Sequence, residues 1–403
     1  MGGIRRALLR GLAALAMALT GLVSFSAVTA APSGAASKPI TIGLICDCTG
    51  PLASAGVDVV PVYKAWVDSV NHAGGINGHK IQLIVKDTGA NPGTALTEAE
   101  SLVQQSHVIA IADDSSEDQA FATYVQQHNV PVVGITTSTT PFFTNPDFYP
   151  EGQTEDRLFD GIAGAVKKAG GTKMALMYCA EAVQCQEGIA PLKATAKNYG
   201  VSVVTALEVA VSAPNYTAQC LSAKAAGAQV IFTADVQSVD EKIAADCQQQ
   251  GFDAKYVIDG EILLPSLTKT ALGKGTYFTV PNLPYFANTP AVRQMNSAID
   301  KYAKGTRSNS YWGEIAMEAW ISGKLFQAAA QAGKLGAHGS TPTTAQLIKG
   351  LDSLKGNTLS GLAPPLNFTA GKPHPVDCWY WTVLKGNKYS TPYGLKPACA
   401  PGT

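Results

Sequence analysis

The stretch Val70–Leu96, VNHAGGINGHKIQLIVKDTGANPGTAL, contains a helix end, a turn, a strand, a second turn and a helix start, and the fold follows from that order. Upstream, Val59, Val62, Tyr63, Trp66 and Val70 recur at helical spacing, so one apolar helix face runs on to Asn71. Gly74-Gly75 and Asn77-Gly78 end it, because glycine accepts left-handed backbone at a helix terminus and Asn-Gly suits a tight turn. KIQLIVKD then reads as a strand. Asn91-Pro92 opens the next helix, supplying a capping oxygen and a proline where no backbone N–H is needed.

The same alternation extends in both directions. ITIGLIC, from Ile40, is a short apolar run bounded by a turn, the pattern of a strand buried on both faces. VIAIA (Val108–Ala112) is a third strand, and VPVVGI is a fourth. Between them SSEDQAFATYVQQH reads as a helix opened by a serine cap and an acidic first turn. After an irregular stretch over residues 136–153 the alternation restarts with a helix over Glu155–Ala169. The strands KMALMY, VSVVTALEV, QVIFTA, KYVID and TYFTV follow, with helices interleaved among the first four of them. Helices over Pro290–Ala303, Tyr311–Ala332 and Thr343–Leu354 come next, and LNFTAGKPHPVDCWYWTVLKG adds two strands about a Gly/Pro turn. Two successive parallel-sheet units in 403 residues predict an α/β protein of two Rossmann-like lobes.

Composition removes several function classes. With 46% hydrophobic and 15% charged residues the chain is globular. Arg5, Arg6 and Arg10 precede the apolar run GLAALAMALTGLVSFSAV and then VTAAP, which reads as an export signal cleaved after Ala30. The paired arginines leave the general secretory and twin-arginine routes both open. Cys46 follows Gly43-Leu44-Ile45, which is no lipoprotein acceptor motif. The whole chain balances 30 basic against 30 acidic side chains, and losing three arginines with the leader makes the mature protein slightly acidic. That charge excludes a nucleic-acid footprint. No later segment reaches membrane-spanning length, so the mature protein is expected to be soluble, in the periplasm or at the cell envelope or outside the cell.

All eight cysteines lie in the exported part, where disulfides are the default. Sequence proximity pairs Cys179 with Cys185, Cys220 with Cys247 and Cys378 with Cys399, while the state of Cys46 and Cys48 stays open. There is no G-x-G-x-x-G after a strand, no P-loop, no G-x-S-x-G elbow and no H-E-x-x-H helix, and the six histidines are scattered. No catalytic residue, cofactor or metal is therefore expected.

Ligands of open α/β sheets bind beyond the carboxyl ends of the strands. There the chain places CDCTGPLAS, DDSSED and TTSTTP. Ser115 and Ser116, with Thr136, Thr137 and Ser138, can surround an anion such as a carboxylate; equally, the serines can cap their helix and the threonines fill a polar loop.

The order of these parts resembles the type 1 periplasmic substrate-binding proteins of ABC transporters, of the branched-chain amino acid (Leu/Ile/Val) class. The stretch Val70–Leu96 is similar to their N-A-x-G-G-I-x-G, strand, Asp, N/D-P-x-x-A signature, TGPLASAG to their first cleft turn and PLNFTAGKPHP to their last crossover. The resemblance implies a leader at 1–30, a first lobe of residues 38–153 plus 282–370 and a second of 154–281 plus 371–403. Three crossovers near Gln153, Pro281 and Gly371 form the hinge. It places a carboxylate cradle on Ser115, Ser116, Thr136 and Ser138 and an amine-pairing acid on Glu261. The family's aromatic positions fall on Ala55, near Cys185 and on Val236, and only Tyr311 or Trp312 keeps an aromatic. Cys48 then borders the ligand wall. The implied protein is a monomer that captures a carboxylate-bearing solute, an amino acid or related compound, and delivers it to permease and ATPase subunits. The alternatives are a sensor module, or a binder of metal or metallophore through Cys46, Cys48, Cys179 and Cys185. On this reading, replacing Ser115 and Ser138 by alanine weakens binding and leaves the melting temperature of the free protein nearly unchanged.

Overall fold

The computed structural model describes residues 37–402 except 51, 52, 54, 55 and 182, so the expected cleavage at Ala30 and the position of Ala55 lie outside the described residues. Strands β1 (Ile40–Cys46), β2 (Ile81–Asp87), β3 (Ala110–Asp114), β4 (Val132–Ile135) and β5 (Phe148–Tyr149) form a parallel sheet in the order β2-β1-β3-β4-β5. Helices α1 (Val59–His72), α2 (Pro92–Glu100), α3 (Gln119–Gln127) and the short α4 (Pro141–Thr144) connect them. The chain then builds α5 (Glu155–Lys168), β6 (Lys173–Cys179), α6 (Val183–Glu187), α7 (Ile189–Asn198), β7 (Ser202–Val209), α8 (Thr217–Ala225) and β8 (Val230–Ala234). The helix α9 (Gln237–Gln249) and strands β9 (Lys255–Asp259) and β10 (Thr276–Val280) complete that run.

Helices α10 (Pro290–Tyr302), α11 (Glu314–Ala332) and α12 (Thr344–Asp352) return to the first sheet, where α11 packs against α1 and β4. A small antiparallel pair, β11 (Lys355–Asn357) and β12 (Leu366–Asn367), precedes β13 (Cys378–Lys385), β14 (Lys388–Ser390) and β15 (Ala398–Cys399). The second sheet runs β14-β13-β10-β9-β8-β6-β7, parallel from β7 to β10 and antiparallel where β13 joins, with β15 on β13. This is the expected two-lobed α/β fold.

The apolar runs explain the layers. In β1 the side chains of Ile40, Ile42, Leu44, Ile45 and Cys46 are all fully buried, as a central parallel strand covered on both faces requires. The face of α1 read from helical spacing is the buried one, and Trp66 packs edge-on to Tyr63 and Phe326 at 5.2 and 6.0 Å between ring centres. Gly323 of α11 lies under that indole, where a β-carbon would fall 2.3 Å from the ring. At the turn before β2, Gly75 adopts φ +84° and leaves no room for a β-carbon beside the His79 carbonyl. Asn91 caps α2 through its side chain to the Thr94 N–H, with Pro92 in the first turn.

Three stretches pass between the sheets, before α5, after β10 and before β13. They are tied together: the Gln153 N–H donates to the Pro281 carbonyl at 3.3 Å, and the Val376 N–H donates to the Thr154 hydroxyl at 3.1 Å.

Several element boundaries differ from the sequence reading, and for three of them the cause is visible. The third strand spans Ala110–Asp114 rather than Val108–Ala112, because pairing to β1 continues until Asp114 stands beside Cys46, while the Val108 N–H closes back on Leu102. Helix α3 begins at Gln119, not at the serine pair: the Ser115 hydroxyl accepts the Glu117 N–H at 3.1 Å, but it and Ser116 also donate to Asp47, and residues 116–118 form a turn. Helix α11 begins at Glu314, since Tyr311 sits in a turn with its N–H held by the Asn309 side chain. All eight cysteines are bridged, in the three expected pairs and as Cys46–Cys48, which leaves no thiolate for a metal. Among the described residues no helix is long and apolar enough to cross a membrane.

Candidate ligand cleft

The carboxyl ends of β1, β3 and β4 bring together Ser115, Ser116, Thr136 and Ser138, and add two acids the sequence reading did not single out, Asp47 and Asp114. Asp47 stands between the bridged Cys46 and Cys48, with its N–H on the Asp114 carbonyl at 2.9 Å. Its carboxylate, almost fully buried, collects four donors. The Ser115 hydroxyl reaches one oxygen at 2.9 Å, and the Ser116 N–H and hydroxyl reach the other at 2.9 and 2.8 Å. The Thr88 hydroxyl donates as well. The serine pair thus forms a carboxylate cradle whose occupant is the protein's own side chain.

The hydroxyls of the next turn are engaged in the same way. Thr136 donates to Asp114 at 2.9 Å, Thr139 donates to Asp118, and the Ser138 hydroxyl lies against Glu261 of the other lobe, stabilising its charged form. Thr137 instead donates to the Gln153 carbonyl at 2.7 Å. Ile135 enters this turn at φ +105°, a strained conformation for a β-branched residue, held by a 3.1 Å bond from its N–H to the Glu151 carboxylate.

The facing side is acidic too. Asp259 ends β9 and accepts the Glu261 N–H at 3.2 Å, and Glu155 opens α5. From the first lobe Glu318 of α11 completes the group. It is fully buried, and neither of its carboxylate oxygens has a hydrogen-bond partner. Helix α11 packs against the Gly260–Ile262 turn that carries Glu261.

Burial and mutual repulsion act on these acids in one direction. Burial raises Asp114 to about 7, relieved by the Thr136 hydroxyl and reinforced by Asp47. Burial, then the charges of Asp259, Asp156 and Glu187, raise Glu155 to about 8. Asp259 rises to about 6 through burial, held down by the N–H groups of Glu261 and Gly260. Glu261 and Glu318 are pushed well above the ordinary carboxylate range, first by burial and then by other acids, with Asp259 leading for Glu261 and Glu261 leading for Glu318. Among the described residues the ion pairs are Lys86–Glu98, Arg157 with Asp156 and Asp377, and Arg307–Asp300, and none touches these five carboxylates.

Between the lobes a gap of about 10 Å³ remains, bordered by Ser138, Gln153, Glu155, Leu158, Asp259 and Glu261. That is room for about one water. Of the residues expected around a ligand, Ser138 and Glu261 border this gap, and Ser115, Ser116, Thr136, Cys48, Tyr311 and Trp312 do not. Tyr311 is exposed, and Trp312 is buried edge-on to Tyr285 with ring centres 6.2 Å apart. Cys48 acts through its bridge, fixing Asp47 at the strand end. The sequence reading missed Asp47, Asp114, Glu155, Asp259 and Glu318. Asp47 had a visible signal, an acid enclosed by two cysteines, and so did Glu318, a lone charge in the apolar stretch IAMEAWISG.

The chain is similar to characterised proteins over most of its length. A Leu/Ile/Val-binding protein homologue from Brucella melitensis is 24% identical over 341 residues, covering 82% of this chain and 87% of that protein. A branched-chain amino acid ABC transporter protein from Thermus thermophilus, solved with bound valine, superposes with a TM-score of 0.80 at 14% identity, over 91% of this chain and 98% of that one. A solute-binding protein from R. palustris in complex with benzoate gives 0.72 at 15% identity, over 90% and 98%. The family model described as periplasmic binding protein matches residues 39–388. With that match spanning nearly the whole described chain, and two parallel-sheet lobes meeting at a cleft, the protein belongs to the periplasmic binding protein family.

Proposed function

We infer that this protein is an exported solute-binding protein that captures a small organic ligand between its lobes and presents the closed form to the permease and ATPase subunits of an ABC importer. The carrying observation is the meeting of strand ends from both sheets at one gap, with Glu261 and Asp259 from one lobe facing Ser138 from the other. The lobes divide as residues 38–153 plus 282–370 and 154–281 plus 371–403, and the leader is removed after Ala30. No chemistry is performed on the ligand. Ligand held first by one lobe gains its remaining contacts only when the other closes, so binding shifts the population toward the closed form.

The ligands named for the relatives do not transfer at these identities. A ligand carboxylate seeking the serine pair has to displace Asp47 from four donors, one of them the Ser116 N–H. A thermal-shift screen of the exported protein across amino acids, amides, aromatic acids, amines and sugars tests the reading. A true ligand raises the melting temperature in proportion to the logarithm of its concentration above Kd. A screen in which no small solute shifts the folded protein overturns solute binding.

A further inference from the structure

We propose that the cleft selects an organic cation, a small diamine, polyamine or guanidino compound, whose amino or guanidinium groups are received by Glu261, Asp259, Glu155 and Glu318 while Asp47 bars the serine cradle to any ligand carboxylate. The proposal rests on the solute-binding reading and names the chemistry of its ligand.

Two independent observations carry it. The first is occupancy: Ser115, Ser116 and Thr88 donate to Asp47, so the donors suited to a ligand anion are already satisfied by a carboxylate fixed in place by the Cys46–Cys48 bridge. The second is Glu318, fully buried, with both carboxylate oxygens lacking any donor, brought by α11 against the turn that carries Glu261. A buried carboxylate without a donor is strongly unfavourable, and among the described residues no lysine or arginine forms an ion pair with it. Without ligand, protonation holds that cost down; a ligand bringing N–H donors that carry positive charge replaces the proton and pairs the carboxylate. Ammonium and guanidinium groups supply three and five such donors and meet carboxylates in charge-assisted bonds.

A bare metal ion fits less well. Among the described residues no group of three or more His, Cys, Asp or Glu converges at ligating geometry. Carboxylates spread over β9, α5, α11 and the Gly260–Ile262 turn suit a cation with more than one charged end. Leu158, at the edge of the gap, offers an apolar contact to methylenes between those ends.

Isothermal titration of the exported, disulfide-bonded protein decides the matter, with putrescine, spermidine and agmatine as one set of probes and L-leucine, L-valine and benzoate as the other. At least one cation should bind, with affinity falling tenfold or more in Glu261→Gln and falling again with added salt. The carboxylate probes should bind only to Asp47→Ala, whose cradle is vacated. If Glu261→Gln does not fold, Glu155→Gln reads the same loss. Wild-type protein that binds leucine, valine or benzoate and no cation overturns the inference and leaves solute binding standing. So does protein that ignores both sets yet responds to a neutral solute in the wider screen. Protein that responds to no solute overturns both.

Discussion

Asp47 joins strand end, disulfide and cleft in a single side chain. Each hydrogen bond to a charged group contributes about 1.5–3 kcal/mol, and losing one partner in a buried site leaves the other unsatisfied. Ser115→Ala therefore lowers the stability of the unliganded protein by about 1–3 kcal/mol, measured as a shift of the urea midpoint at unchanged slope. This replaces the expectation that the Ser115 and Ser138 alanine variants leave the free protein's melting temperature unchanged, because the Ser115 hydroxyl belongs to Asp47 before any ligand arrives. The serine pair itself was legible as a donor-rich turn. Its partner was not, since Asp47 lies 68 residues away and local sequence says nothing of which acid will reach a hydroxyl.

At the scale of elements, periodicity and punctuation located the helices and strands, and tertiary pairing moved their ends. The apolar face of α1 and the Asn91-Pro92 start of α2 are local signals, and the structure keeps them. The start of β3 depends on register with β1, and the start of α3 depends on where Ser116 finds an acceptor, so neither was readable from its own residues. The contact of α1 with α11 makes a sharper claim. A methyl group at Gly323 would fall 2.3 Å from the Trp66 ring, and overpacking of this kind typically costs about 1–3 kcal/mol. Gly323→Ala should lose about that much in urea unfolding, although alanine is the better helix former. Trp66 fluorescence should shift with it.

Across the whole molecule, the fold gathers Asp114, Glu155, Asp259, Glu261 and Glu318, with Glu151 and Glu314 adding to the repulsion on Glu318, and among the described residues no base forms an ion pair with them. Their folded values lie above the ordinary 3.8 and 4.5, so the unliganded closed form binds protons more tightly than the unfolded chain. The stability these groups lend is complete below about pH 4 and is lost as pH rises through about 6 to 8, where Asp259, Asp114 and Glu155 ionise. The melting temperature without ligand should thus be lower at pH 8.5 than at pH 5. The radius of gyration from small-angle scattering should be larger at pH 8.5, since parting the lobes relieves the repulsion. Glu155→Gln should narrow both differences, and a pH-independent scattering curve would contradict the account. The two lobes and their meeting place could be read from the order of strands and turns. The sign of the charge inside could not, because it depends on which acids two distant halves of the chain bring face to face.

The ring formed by Cys46, Asp47 and Cys48 also bears on the order in which the molecule assembles. A bridge that encloses one residue needs no helix, sheet or lobe in order to close, whereas Cys220 must wait for Cys247, 27 positions later. The ring can therefore form as soon as this segment of the emerging chain meets an oxidant. Asp47 is then already set at the end of its strand when Ser115 and Ser116 arrive, and the serine turn folds onto a fixed template.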